Sequence, residues 1–303
     1  MSHAVYTPRR KPRQQFVPVR GLRYHLTSWG SPDTADNGPP PLVMLHGWMD
    51  VSSSFQFVVD AMGDERHIVA PDWRGFGLTE TPVVDTYWFP DYLGDLDALL
   101  ASLFPGRRID LLGHSMGANV AMLFAGIRPD RIRRLVNLEG FGMPEGRPED
   151  APARYRQWLD ELAVPEHLKR YESAAEVATR LRKTNPRLTP DKAAWLATQW
   201  AREGADGQWR LLADPAHKRI NPVLYRKEEA LACWRAIEAE VLWIEGEETD
   251  ISKWWGDRYS RAEFEARISH VPDLRRERLA SCGHMLHHDQ PQGLARLLEE
   301  FLS

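Results

Sequence analysis

The residues most able to do chemistry are Gly113-His114-Ser115-Met116-Gly117, which follow the apolar run IDLL and precede the helix-like ANVAMLFAGI. A serine at a strand-to-helix turn is held in strained backbone with its hydroxyl presented outward, and flanking glycines remove side chains that would strike the neighbouring strand and helix. In that context Ser115 reads as a nucleophile. The same turn aims a helix N-terminus at the reacting centre, so the Met116 N–H is placed to donate to a developing oxyanion. A second donor is expected from LHGW, where His46-Gly47 permits a turn that points the Trp48 N–H inward. His46 itself reads as a structural histidine that hydrogen-bonds its loop.

A serine hydroxyl is a poor nucleophile at neutral pH and needs a base late in the chain on a strand-end loop. His284 meets this: it follows LASCG and precedes MLHHDQPQGLARLLEEFL. His284, His287, His288 and Asp289 also invite a metal reading, but they form a contiguous run with no Cys partner and no separate anchor, so no metal site is expected. No cofactor is required.

The elements that must position these residues are legible as alternation. FVPVRGLRYHLTSWG suggests an entry hairpin, and a polar, Pro-rich stretch follows it. Apolar runs at PLVMLHG, HIVAPD, RIDLLGHS, RLVNLEG, VLWIEG and RRERLASCGH are then separated by segments of helical period. That pattern implies an α/β fold with a doubly wound, mostly parallel sheet. It is interrupted between about Phe141 and Ile237, where helical patterns and Pro breaks appear without a convincing buried strand. We expect core segments at 1–140 and 237–303, with a helical cap at 141–236 inserted after the sixth strand, over the C-terminal edge of the sheet. Five of the twelve Trp lie in the insertion (Trp158, Trp195, Trp200, Trp209, Trp234). Core packing is the default for each of them, and for Trp254 and Trp255. Phe141 and Met143, just past a strand end that opens into the site, are the candidate substrate-binding residues. His217 and Arg219 could meet a polar substrate group, with an exposed helix face the default.

Composition narrows the class. In 303 residues, 39 Lys and Arg stand against 43 Asp and Glu, a formal charge of −4 that gives no global attraction to nucleic acid or anionic lipid. Cys233 and Cys282 are the only cysteines, too few for a disulfide framework or a thiolate zinc site, and suggest a reducing, cytoplasmic setting. No apolar run reaches eighteen residues, and Met1 to Arg23 lacks the apolar stretch of a secretory signal. The basic start (Arg9, Arg10, Lys11, Arg13) reads as a short solvated extension. The expected partner is a small-molecule ester, with neither nucleic acid nor membrane, and the expected state is a monomer or small homo-oligomer.

Taken in order, the chain resembles the α/β-hydrolase family over nearly its whole length. LVMLHGW is similar to the family's oxyanion strand, APDWRGFGLTE to its D-x-R-G-x-G-x-S loop, LLGHSMG to its nucleophile elbow and CGHMLHHDQP to its histidine loop. Leu78 and Thr79 depart from the second pattern, Thr standing where Ser is usual. The Ser at the elbow and the stretch DPAHKRINP look more like the serine-hydrolase-like esterases than the epoxide hydrolases and dehalogenases, which use Asp there. The resemblance implies a carboxylate to orient His284 and leaves its source open. The usual site is the loop after VLWIEG, where Thr249 occupies the position of the family's Asp; Asp250 is one residue late and Glu248 is a weaker substitute. Glu139, which ends RLVNLE, is the rival, since some members carry their acid at that strand end. A serine carboxylesterase is expected, with a C–C bond, lactone or thioester hydrolase, or a noncatalytic binding protein of this fold, as alternatives.

Overall fold

The computed structural model describes residues 4–32 and 38–303, so part of the Pro-rich stretch, residues 33–37, and residues 1–3 lie outside the described residues. The entry hairpin pairs β1 (Arg13–Val19) with β2 (Leu22–Trp29) around Arg20-Gly21, whose φ values of 46° and 82° supply the doubly left-handed turn that matches strand twist. There follow β3 (Leu42–Leu45), α1 (Gln56–Ala61), β4 (Ile68–Pro71), α2 (Phe89–Leu103), β5 (Ile109–His114), α3 (Met116–Ile127) and β6 (Ile132–Leu138). The inserted stretch holds α4 (Ala151–Leu162), β7 (Arg170–Tyr171), α5 (Ala174–Thr184), α6 (Pro190–Trp200), β8 (Ala201–Glu203), β9 (Trp209–Leu211) and α7 (Lys227–Arg235). The chain ends with β10 (Glu240–Gly246), α8 (Ser252–Trp255), α9 (Arg261–Ile268), β11 (Leu274–Leu279), α10 (Leu286–Asp289) and α11 (Pro291–Leu302).

Eight strands form one sheet in the order β1-β2-β4-β3-β5-β6-β10-β11, parallel from β4 to β11 and antiparallel through the hairpin. Neighbouring residues on each strand serve opposite faces. Leu111, Leu135, Val241 and Trp243 join the core cluster beneath α2 and α3, while Leu112, Val136, Leu242 and Ile244 join the one closed by Leu294 and Leu298 of α11. The chain leaves β3 for β4 on one side and returns to β5 on the other, so the crevice at their C-terminal ends is a topological switch point.

Two expectations are corrected. The insertion is not purely helical: β7, β9 and β8 form a small antiparallel sheet, with strands of two or three residues, too short to register as an alternating pattern. Within the same insertion, α7 packs on α3, with Leu231 and Trp234 in the main core cluster; at Gly126 a Cβ would lie 1.9 Å from the Cys233 carbonyl oxygen. The basic start is not solvated throughout. The Tyr6 hydroxyl and the Arg9 and Arg10 N–H groups all donate to the Asp60 carboxylate (2.5, 3.0 and 2.7 Å), and the Tyr6 ring packs on Phe57 and Trp195. An arm that looked polar in sequence thus bridges α1 and the inserted α6. Among the described residues no helix is long and apolar enough to cross a membrane.

Candidate active site

Ser115 sits between β5 and α3 with φ 52° and ψ −115°, a left-handed conformation costly for a residue with a Cβ. Close approach of backbone holds it there. A Cβ at Gly117 would lie 2.2 Å from the Leu45 carbonyl oxygen, and one at Gly113 would lie 2.4 Å from the Ala118 Cα. The first turn of α3 therefore presses directly onto the end of β3. A Cβ on Gly47 would be 3.3 Å from that of Ser115, so the loop carrying the Trp48 N–H runs alongside the hydroxyl. The Met116 N–H opens α3, where backbone donors have no acceptor within the helix.

The Ser115 hydroxyl donates to His284 Nε2 at 3.0 Å, and His284 Nδ1 donates to Glu139 Oε2 at 2.6 Å. The order of protons is forced, because a carboxylate only accepts: Nδ1 carries the hydrogen and Nε2 offers its lone pair to serine. Glu139 ends β6 with φ 55°, and its buried side chain is fixed by the Gly246 N–H (2.7 Å) and the Thr249 hydroxyl (2.6 Å), both donating to Oε1. His284 is held from outside the relay as well. Its carbonyl accepts from His114 Nε2 at 2.8 Å, its ring meets the Trp254 ring at 4.5 Å, and the Gly283 N–H donates to Asp289 Oδ2 at 3.1 Å.

Of the three candidate carboxylates, only that of Glu139 meets His284. Asp250 is exposed and turned back on α8, its Oδ1 accepting from the Ser252 N–H and hydroxyl, which hold its carboxyl below the usual range. Glu248 is exposed and pairs with Arg187. Thr249, at the position where the family pattern has Asp, serves the relay by binding the acid from β6.

The structure places the remaining candidates as follows, some of them away from their sequence reading. Phe141 is 1% exposed and packs edge-on against Trp243 and Phe264, so it belongs to an aromatic core rather than to an open pocket wall. Met143 is exposed, with its carbonyl accepting from Arg267. His217 is neither on an exposed face nor free: it stacks between Phe76 and Tyr87 at 3.7 and 3.5 Å, and burial pushes its pKa down to about 3. Arg219 donates to the Asp85 carbonyl. The His217 carbonyl accepts from Trp48 Nε1 at 3.3 Å, a link between insertion and oxyanion loop that nothing in the sequence signals. His46 is fully buried; the Trp73 N–H donates to its Nε2 at 2.9 Å, so its Nδ1–H faces the Gly47 carbonyl at 2.8 Å. In the loop after β4, the Thr79 hydroxyl donates to the Asp72 carbonyl and accepts from the His25 N–H, the bonds a Ser could make there.

Comparison with known proteins shows the same family and fold. The Alpha/beta hydrolase family profile matches residues 42–297. A serine hydrolase-like protein from Danio rerio is 25% identical, the match covering 100% of this chain and 92% of that protein. Serine hydrolase-like protein 2 from Homo sapiens is 24% identical over 87% of each chain. Among solved structures, the thioesterase domain from the curacin biosynthetic pathway superposes with a TM-score of 0.82 at 23% identity, covering 96% of this chain and 99% of that one. With the elbow, the histidine loop and the switch-point sheet in family order across 256 matched residues (297 − 42 + 1), the chain belongs to the α/β-hydrolase family.

Proposed function

We propose that the protein is a cofactor-independent serine hydrolase, and that it cleaves carboxylic esters of small or medium size with an apolar acyl or alcohol part. The observation that carries this reading is the unbroken relay from Ser115 through His284 to Glu139, at 3.0 and 2.6 Å. Ser115 attacks the ester carbonyl while His284 takes the hydroxyl proton. Glu139 stabilises the imidazolium that forms, and the Met116 and Trp48 N–H groups receive the oxyanion. His284 then returns the proton to the leaving alcohol, and water cleaves the acyl-enzyme by the same steps in reverse. Trp48 and Trp254, half-exposed beside the oxyanion loop and His284, favour an apolar substrate group. The relatives named as serine hydrolase-like, matched over most of their length, support the serine class.

The test is a panel of p-nitrophenyl esters of increasing chain length, assayed with the unmodified chain and with Ser115→Ala. Turnover that disappears in the variant supports the reading. Turnover surviving in Ser115→Ala, or none on any ester, thioester or lactone, contradicts it.

A further inference from the structure

Behind the relay lies a buried polar cluster that the proposed chemistry does not use. It joins Asp50, from the loop after β3; His114, the residue preceding the nucleophile; and His287, on α10. One potential ligand atom from each lies within 4.8 Å of the others, and their exposures are 3%, 2% and 0%.

The hydrogen-bond accounting leaves the facing atoms unmatched. Asp50 Oδ1 accepts from the Val51 N–H at 2.8 Å and from the Ser54 hydroxyl, but Oδ2 has no hydrogen-bond partner among the described residues. His114 Nε2 faces the His284 carbonyl, which can only accept, so the proton sits on Nε2 and Nδ1 is a bare lone pair. That Nδ1 has no partner either, nor does either nitrogen of His287, whose Nε2 stands 3.8 Å from Asp50 Oδ2. Two of the three facing atoms are thus acceptors fixed in place, and His287 can give its proton to only one of them. Leaving such buried polar atoms unmatched is costly, which favours an occupant between them.

Two imidazoles and a carboxylate are the donor set that late first-row divalent ions prefer. Ligand atoms about 2.0–2.2 Å from a tetrahedral ion stand about 3.4 Å apart, so the Asp50 to His287 separation of 3.8 Å needs to close by a few tenths of an ångström, and the widest pair, within 4.8 Å, by no more than about 1.4 Å. We propose that Asp50 Oδ2, His114 Nδ1 and His287 Nε2 form a binding site for one divalent transition-metal ion of the zinc type. The separate anchors that the His-rich run lacks in sequence are supplied by the fold. Such an ion ties together the three segments that carry Trp48, Ser115 and His284. Coordination at His114 Nδ1 also sharpens the donor strength of Nε2–H toward the His284 carbonyl, so occupancy acts on the position of that histidine. The site does not depend on the ester-hydrolase reading.

The experiment uses untagged full-length protein, stripped with a chelator and then equilibrated with Zn²⁺ or Co²⁺. The expected results are one equivalent of metal by elemental mass spectrometry, the same stoichiometry in Ser115→Ala, and intense visible absorption of bound Co²⁺ in low coordination. His287→Asn and Asp50→Asn are each expected to weaken binding by more than about tenfold, since loss even of an outer-shell partner of a metal ligand costs that much. If Asp50→Asn fails to fold, His287→Asn and the cobalt spectrum of the unmodified protein decide. No retained metal, a spectrum of hydrated Co²⁺, or undiminished binding in His287→Asn overturns the proposal and leaves a buried water as the occupant. Because Ser115→Ala binds metal but cannot turn over ester, failure here and failure of the ester reading are separable.

Discussion

Replacing Glu139 by Gln keeps the shape of the side chain and changes one oxygen to a nitrogen, and the surrounding donors fix which one. The Gly246 N–H, 2.7 Å from Oε1, can only donate, so the amide oxygen must occupy that position. The NH₂ is then left where Oε2 faces His284 Nδ1 at 2.6 Å. An NH₂ there donates, which obliges Nδ1 to accept and moves the imidazole proton to Nε2, pointing at Ser115 Oγ 3.0 Å away. The base is left with no lone pair for the serine proton. A wrong tautomer in an otherwise intact relay of this kind lowers kcat by about 10⁴-fold, about 5.5 kcal/mol of barrier. The assay is steady-state hydrolysis of the best p-nitrophenyl ester, with thermal unfolding measured alongside; kcat collapses, KM moves by no more than about threefold, and the unfolding temperature stays close to that of the parent. Asp250→Asn, which loses only contacts to Ser252, keeps kcat within about twofold. Glu139→Gln retaining more than a tenth of kcat, or Asp250→Asn losing as much as Glu139→Gln, refutes the reasoning.

Two further outcomes follow from the packing. Gly117→Ala places a Cβ 2.2 Å from the Leu45 carbonyl and 2.6 Å from that of His46, both backbone, so α3 must back away from β3 and separate the two oxyanion donors; a fall in kcat of about 100-fold with a lowered unfolding temperature is expected, and an active, stable variant contradicts the close approach. Burial lowers the pKa of His46, His114 and His288, and that of His217 to about 3, so each binds its proton less readily folded than unfolded. Stability they contribute is complete above about pH 6.5 and drains as pH falls toward the folded value, by up to about 1.4 kcal/mol per pH unit for each. Urea midpoints measured from pH 7 to 5 should drop steadily, and more shallowly in His217→Phe; a flat profile, or an unchanged slope in that variant, speaks against buried neutral histidines.

The sequence disclosed what is local in it. Ser115 and its glycines are contiguous, and the requirement for a strand before and a helix after is met within twenty residues. His284 follows from the end of the last parallel strand in the same way. The choice of carboxylate depends on a lateral neighbour: β6 lies beside β10, so the backbone at Gly246 and the hydroxyl of Thr249 meet Glu139 only across the sheet. Asp250 lies close to the family position along the chain, but its own Asp250–Ser252 turn decides its direction. The docked arm, the three-stranded sheet of the insertion and the Asp50–His114–His287 cluster escape a linear reading for the same reason. Tyr6 finds Asp60 and Trp195, and His287 finds Asp50 and His114, through contacts that no period or motif encodes.

The most direct measurement is active-site labelling with a fluorophosphonate, read by intact-protein and peptide mass spectrometry. The expected result is one adduct per chain, located on Ser115, abolished in Ser115→Ala and strongly slowed in His284→Ala. An adduct on another residue, or folded protein that takes up no label, would contradict the assignment of Ser115 as the nucleophile.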